Sequence, residues 1–126
     1  MKKLQISQIQ FEAKSTPSEN AIILKELFYK TKKFRPHLIC TPECSNIITN
    51  DKIYLIKNTT YESDCPIINM AKQYAIENNV NINIGSLLLR EKNKKKLVNR
   101  SYFINTKGKI VKKYDKIHMF DVNINT

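Results

Sequence analysis

The hydrophobic pattern of this chain changes its period several times, and the order of those changes restricts the fold more than any other feature. Residues 5–10 alternate polar with apolar side chains, which is the two-residue period of a strand with one buried face. Apolar residues then recur at helical spacing, in Ile23, Leu24, Leu27 and Phe28. A strand followed by an amphipathic helix predicts the opening of an α/β domain.

The remainder of the chain continues this alternation. The pattern predicts a buried strand at 37–40, a short helix at 51–56, a second covering helix from Pro66 to Asn79, and strands at 81–89, 98–105 and 110–114. The main elements follow the order β-α-β-α-β-β-β, so we predict an α/β fold with a mixed sheet and two covering helices. The length suits one hydrophobic core, so residues 1–126 form one predicted domain.

The first long helix has a well-marked predicted start. Thr16 stands in the N-cap position and Pro17 is placed as the first helical residue. Glu19 is placed where its carboxylate could reach back to the N-cap backbone in a capping box. We therefore predict that the side chains of Thr16 and Glu19 satisfy free N–H groups at this helix end.

The chain is strongly basic, with a formal net charge of +11, and basic surfaces are typical of nucleic-acid-binding proteins. All but three of its 22 basic residues are lysines, whereas arginine is the residue that reads base edges and stacks on bases. The lysine run at 92–96 has no interleaved aromatic residue for stacking. Abundant Lys, Ile and Asn also fit AT-rich coding DNA. A small RNA- or polyanion-binding module is therefore the alternative function, and nucleic acid is not the expected partner.

Cysteine and histidine usage argues against a disulfide framework and against a metal site. Cys40, Cys44 and Cys65 are an odd number without paired CxxC spacing, and His37 and His118 lie in separate segments without ligand spacing. No apolar run approaches the ~20 residues of a membrane-spanning helix, and the N-terminus lacks the apolar block of a signal peptide. We expect no metal, no membrane partner and a cytoplasmic location.

Two segments carry residues suited to chemistry. Glu43 follows a buried strand directly after Pro42, at the kind of strand end where α/β proteins build their sites. Lys116 follows another strand, between Asp115 and the apolar Ile117. Taken alone, Glu43 also fits a loop or capping glutamate, and Lys116 also fits one solvated lysine among many.

Together the two segments resemble the N-terminal half of the carbon–nitrogen hydrolases of the nitrilase superfamily, over essentially the whole chain. The matching residues are Pro42-Glu43, Asn99-Arg100-Ser101-Tyr102-Phe103-Ile104, Gly108, Tyr114, Lys116 and His118-Met119-Phe120-Asp121. The separation of Glu43 and Lys116 along the chain is also similar to that family's. The run at 116–122 is the most specific part, and it is most similar to the amidase branch of omega-amidases and deaminated-glutathione amidases.

The resemblance implies an amidase that acts on small non-peptide amides through a Glu-Lys-Cys mechanism. Glu43 would be the general base and Lys116 the cation that stabilises the oxyanion, with no metal or organic cofactor. The family fold is a four-layer α-β-β-α sandwich of two similar halves, of which this chain would supply one sheet and its two helices. The resemblance further implies a homo-oligomer in the full-length form.

The nucleophilic cysteine is the point at which the chain departs from the family pattern. In the family that cysteine follows the lysine by a few tens of residues, whereas this sequence stops at Thr126, and a second glutamate expected beyond the lysine is missing as well. Cys44 adjoins Glu43, but neighbours on an extended segment point to opposite sides. We therefore expect a portion truncated before its nucleophile, and expect it to be inactive on amides by itself.

Overall fold

The computed structural model describes residues 2–118, and the chain folds around one five-stranded sheet. The strands are β1 (Ile6–Gln8), β2 (Leu38–Thr41), β3 (Asn81–Leu89), β4 (Val98–Ile104) and β5 (Ile110–Asp115). They lie across the sheet in chain order; β1, β2 and β3 are mutually parallel, whereas β4 is antiparallel to β3 and β5. The 119–121 portion of the family pattern lies outside the described residues.

Three helices connect the first three strands. They are α1 (Pro17–Thr31), α2 (Lys52–Asn58) and α3 (Pro66–Asn78), with 3₁₀ turns at Lys32–Phe34 and Glu62–Asp64. Helices α1 and α3 pack against each other and cover one face of the sheet. The predicted α/β class, with a mixed sheet and two covering helices, is confirmed. Over residues 2–118 no helix is long and apolar enough to cross a bilayer.

The hydrophobic core lies between α1, α3 and the sheet face that they cover. It contains Leu24 and Phe28 of α1, Ile67, Ile68, Ala71, Tyr74 and Ala75 of α3, and Ile39, Ile82, Ile84, Leu87, Leu89, Tyr102 and Ile104 of the sheet. Each large apolar side chain buried here contributes about 1.5–3 kcal/mol. The two helices are also joined by Tyr74, whose hydroxyl donates a hydrogen bond of 2.9 Å to the carbonyl of Phe28.

The start of α1 lies where the sequence predicts it, but the predicted capping box is absent. Thr16 is the N-cap residue, yet its side chain makes no capping hydrogen bond. A fully buried asparagine sets the geometry instead: Asn20 accepts a hydrogen bond from the Lys14 N–H and donates to the carbonyls of Lys14 and Asn46, at 2.7–2.8 Å. Because a buried amide must be hydrogen-bonded, Asn20 ties α1 to the loop that follows β2.

Strand direction determines where the predicted site residues meet. Strands β2, β3 and β5 run the same way, because β5 is antiparallel to β4 and β4 is antiparallel to β3. Their carboxyl ends therefore lie at one edge of the sheet, together with the beginning of β4. Glu43 follows β2, Lys116 follows β5, and Asn99 lies near the start of β4. The topology thus brings three distant parts of the sequence to one edge.

The face of the sheet opposite the helices is partly exposed. Leu38, Cys40 and Phe103 are half-buried on this face, and Tyr114 is exposed. The half-buried residues alternate along β2 and β4 with buried core residues, as expected for a sheet with two different faces. In the four-layer arrangement implied by the family resemblance, a second sheet covers this face.

Candidate active site

Glu43 lies in a turn at 43–46, directly after strand β2. The turn is fastened to β3 at a β-bulge by Ser86, which hydrogen-bonds to three of its neighbours. The Ser86 N–H donates to the Pro42 carbonyl at 3.3 Å, the Ser86 carbonyl accepts from Ser45 N–H at 3.0 Å, and Ser86 Oγ accepts from Cys44 N–H at 2.9 Å. The backbone is therefore held on both sides of Glu43.

The residue before Ser86 must be glycine, because two strands approach closely there. A Cβ atom at Gly85 would lie 2.3 Å from the Thr41 carbonyl oxygen and 2.7 Å from the Pro42 carbonyl. Both contacts are with backbone, which cannot move away as a flexible side chain could. Gly85 therefore permits the approach that brings the end of β2 against β3.

We predict that Gly85→Ala destabilises the chain by about 1–3 kcal/mol, because the added methyl overlaps the β2 backbone. Chemical denaturation of the two proteins measures this difference in the free energy of unfolding. Asn83→Ala is the matched control, because Asn83 is two residues earlier on the same strand and lies on the same face. Equal unfolding free energies for Gly85→Ala and the unchanged chain would contradict the close approach.

Lys116, which follows β5, contacts Glu43 through its side chain. Its backbone N–H donates a hydrogen bond of 2.8 Å to the Asn99 carbonyl, which extends the β4–β5 pairing to Lys116. Its Nζ lies 2.7 Å from Glu43 Oε1. The side chains are 39% and 58% exposed respectively, so the pair is open to solvent and accessible to a ligand. The structure thus brings together the two residues that the sequence singled out.

Asn99 is a third member of the site, and its side-chain role was not predicted from the sequence. It is nearly buried, and its Nδ2 donates a hydrogen bond of 3.0 Å to Glu43 Oε1. Asn99 therefore gives Glu43 Oε1 a second hydrogen-bond donor, from a buried side chain. A polar side chain near the start of a hydrophobic strand could have indicated such a role, because buried amides require partners.

Hydrogen bonding and charge favour the ionised forms of both catalytic candidates. The hydrogen bond from Lys116, and then the one from Asn99, hold the pKa of Glu43 below its usual value. The carboxylate in turn raises the pKa of Lys116 above its usual value. At neutral pH the site therefore contains a carboxylate and an ammonium group in contact.

Cys44 does not point away from Glu43 as expected from an extended segment. It has a left-handed backbone conformation, with φ of 53°, so the strand alternation does not apply to it. The Asn99 amide lies 3.9 Å from Cys44 Sγ as well as 3.0 Å from Glu43. Burial, and then the charge of Glu43, raise the pKa of Cys44, which disfavours the thiolate.

A shallow cavity of about 330 Å³ opens beside Glu43 and Cys44. Its remaining lining comes from Ile47, Ile48, Thr49, Leu55 and Leu88. Apart from the Glu43 carboxylate the lining is mostly apolar, so this part of the site suits an uncharged group.

The histidines lie outside the Glu43–Lys116 pair. His37 Nδ1 accepts a hydrogen bond of 2.9 Å from the Gln5 N–H, and His118 is exposed at the end of the described range. Between residues 2 and 118 no group of three or more His, Cys, Asp or Glu side chains is placed to hold a metal ion.

Comparison with known proteins identifies the family of this chain. The sequence profile of the family described as carbon-nitrogen hydrolase matches residues 4–126. The chain belongs to the carbon–nitrogen hydrolase family. A curated family relative, the probable hydrolase nit2 of Schizosaccharomyces pombe, is 29% identical over 116 residues, which are 91% of this chain and 42% of the relative.

Two solved amidase structures have folds similar to this chain. An N-terminal amidase crystallised with a Gln-Gly peptide superposes with a TM-score of 0.79 at 18% identity, covering 94% of this chain and 28% of that protein. An amidase from Nesterenkonia sp. gives 0.76 at 15% identity, covering 93% of this chain and 44% of that protein. The chain therefore has the fold of these carbon–nitrogen hydrolases, and it spans less than half the length of each.

Proposed function

We propose that this chain supplies the general base and the oxyanion-stabilising cation of an amidase. The observation that supports this best is the contact of 2.7 Å between Lys116 Nζ and Glu43 Oε1, at a sheet edge beside an open cavity. The residue types fit amide hydrolysis, which needs a proton acceptor and a positive charge near the carbonyl oxygen. We assign Glu43 as the base and Lys116 as the cation.

The first step is attack of a thiolate on the amide carbonyl carbon. Glu43 takes the thiol proton, a carbon–sulfur bond forms, and the carbonyl π electrons move to oxygen. Glu43 then gives its proton to the amine as the carbon–nitrogen bond breaks. Water attacks the resulting thioester while Glu43 takes a proton from it. The carbon–sulfur bond then breaks, Glu43 returns that proton to the departing thiolate, and the acid is released.

During these steps the Lys116 ammonium changes its anionic partner from the Glu43 carboxylate to the substrate oxygen. In the resting site its ammonium contacts the Glu43 carboxylate and lowers the basicity of that group. As negative charge develops on the substrate oxygen, the ammonium gains a second anionic partner nearby. The attraction between Lys116 and Glu43 weakens when the carboxylate takes the proton and becomes neutral. The ammonium then stabilises the oxyanion, which forms in the same step.

The nucleophile is proposed to lie in a longer protein, outside these 126 residues. Cys65 is fully buried in the core, and Cys40 lies on β2 among the sheet residues. Cys44 is near Glu43, but burial and the neighbouring carboxylate raise the pKa of its thiol. The greater length of the relatives leaves room for a cysteine beyond Thr126.

The substrate is proposed to be a small non-peptide amide, as in the omega-amidase branch that the 116–122 run resembles. The apolar lining beside Glu43 supports an uncharged group next to the reacting carbonyl. Assembly into a homo-oligomer is part of the same proposal and rests on the family resemblance.

Ammonia release from small primary amides tests the proposal. The protein expressed from the whole reading frame that contains this chain is expected to release ammonia, whereas residues 1–126 alone are expected to release none. Cys44→Ser in each protein controls for a local nucleophile. Ammonia release by residues 1–126 that survives Glu43→Gln but not Cys44→Ser would overturn the assignment.

The alternative function is polyanion binding through the lysine run at 92–96. The structure supports it less than the sequence does, because part of the positive charge is paired within the chain. Lys94, in the middle of that run, forms ion pairs with Glu91 at 3.1 Å and Asp115 at 3.8 Å. Its charge is therefore partly matched within the chain, and less of it is presented to an external polyanion.

A further inference from the structure

We propose that Arg100 and Asp115 are positioning residues that hold Lys116 in contact with Glu43. This inference rests on the proposed function, because it concerns how the cation of that site is placed. Neither residue touches Glu43. Their effect is carried through the β4–β5 pairing, in which Arg100 and Asp115 lie directly opposite each other.

The ion pair between the two strands is bidentate. Arg100 Nε donates to Asp115 Oδ1, and Arg100 Nη2 donates to Asp115 Oδ2 at 2.9 Å. Two parallel hydrogen bonds fix the orientation of both side chains, which a single contact does not do. The Arg100 side chain is 11% exposed, so this pair is better shielded from solvent than an ordinary surface ion pair.

Further partners immobilise the guanidinium. Arg100 Nη2 also donates to Glu91 at 2.6 Å, and Nη1 lies 3.4 Å from Glu62. Glu62 is itself held by the Tyr102 hydroxyl at 2.8 Å. These contacts hold the Arg100 guanidinium in place independently of Asp115. The end of β5 that carries Asp115 is therefore bound to an immobilised side chain.

The consequence for Lys116 follows from its place in the chain. Lys116 is the next residue after Asp115, and its N–H bonds to the carbonyl of Asn99, the residue before Arg100. The dipeptides Asn99-Arg100 and Asp115-Lys116 are thus joined twice, by a backbone hydrogen bond and by the ion pair. The same short stretch of β4 also carries the Asn99 amide that binds Glu43.

A lysine side chain has several rotatable bonds, so its ammonium remains in place only if its backbone is fixed. Lys116 lies just beyond the last β5 residue, where a strand end can separate from its neighbour. The Arg100–Asp115 pair holds the strands together at that point. Without it, the Nζ–Glu43 contact would be made for a smaller fraction of the time.

The pKa of the Glu43 carboxyl, followed by NMR in residues 1–126, tests this without any need for catalysis. Lys116→Met is expected to raise that pKa towards its ordinary value. Arg100→Met and Asp115→Asn are each expected to raise it in the same direction, with Arg100→Lys giving a smaller rise. In the Lys116→Met background, Arg100→Met is expected to cause no further rise.

Lys112→Met is the matched control, because it removes a positive charge from an exposed position on β5 that lies outside the ion pairs of Arg100, Glu62 and Asp115. It is expected to leave the Glu43 pKa unchanged. An unchanged Glu43 pKa in folded Arg100→Met or Asp115→Asn would overturn the positioning role, as would an equal rise in Arg100→Met with and without Lys116. Absent ammonia release from the full protein, with this coupling intact, would instead refute the proposed function alone.

Discussion

We expect Glu43→Gln to lower ammonia release from a small amide by about 10²–10⁴-fold in the full-reading-frame protein, the usual contribution of a general base. The glutamine amide cannot accept the thiol proton, nor can it protonate the leaving amine. Its carbonyl oxygen can still accept hydrogen bonds from Lys116 and Asn99, which now bind Glu43 Oε1. The loss should therefore appear in kcat with little change in the free energy of unfolding.

Glu12→Gln is the control for removal of a carboxylate. Glu12 is exposed and pairs with Lys14 at 3.4 Å, away from the Glu43–Lys116 contact. It is expected to leave ammonia release unchanged. Full activity in Glu43→Gln would show that another group acts as the base.

We expect Lys116→Met to lower the same activity by about 10²–10³-fold, the usual cost of removing one oxyanion-stabilising group. It should also move the acidic limb of the pH–rate profile to higher pH. Lys116 holds the pKa of Glu43 below its usual value, so the carboxylate persists to lower pH in the unchanged protein. Without that ammonium the pKa rises, and the base becomes protonated at a higher pH.

Ammonia release measured across the pH range gives both the rate at neutral pH and the position of the acidic limb in one experiment. Lys112→Met is the matched control, because Lys112 is an exposed lysine on β5. An acidic limb that stays in place in Lys116→Met would contradict the contact between Lys116 and Glu43. An unchanged rate at neutral pH would contradict the oxyanion role.

The order of the elements could be predicted because each depends on local pattern, although the strand predicted at 5–10 forms only at Ile6–Gln8. The strand predicted at 81–89 is β3, and the helix from Pro66 to Asn79 is α3 with Asn79 at its C-cap. Periodicity and turn residues determine such segments. The predicted capping box at Thr16 was wrong. The backbone at the start of α1 is instead held by hydrogen bonds of Asn20, one of which goes to Asn46, a residue distant in sequence.

The site could be predicted only in part, because contact between strands depends on register. The resemblance to a known family indicated that Glu43 and Lys116 act together. Neither residue could be identified as functional from its own surroundings in the sequence. The bulge in β3, the close approach at Gly85 and the left-handed backbone of Cys44 depend on how β2 meets β3. A pattern of polar and apolar residues does not show where one strand of a pair carries an extra residue or where two backbones approach closely.

The Arg100–Asp115 pair could not be predicted from the sequence either. The two residues are separated by the rest of β4, a turn and most of β5, and nothing in their spacing pairs them. They meet because β4 and β5 form a hairpin in the register that sets Arg100 opposite Asp115. Charged residues near a strand end are usually solvated, so the burial of the Arg100 side chain could be learned only from the fold.

The most direct test of the account is peptide mass spectrometry of the full-reading-frame protein, quenched with acid during turnover of a small amide. The proposed mechanism predicts an acyl group on a cysteine beyond Thr126, none on Cys40, Cys44 or Cys65, and loss of the adduct in Glu43→Gln. An adduct on Cys44, or no adduct and no ammonia release from the protein, would contradict it.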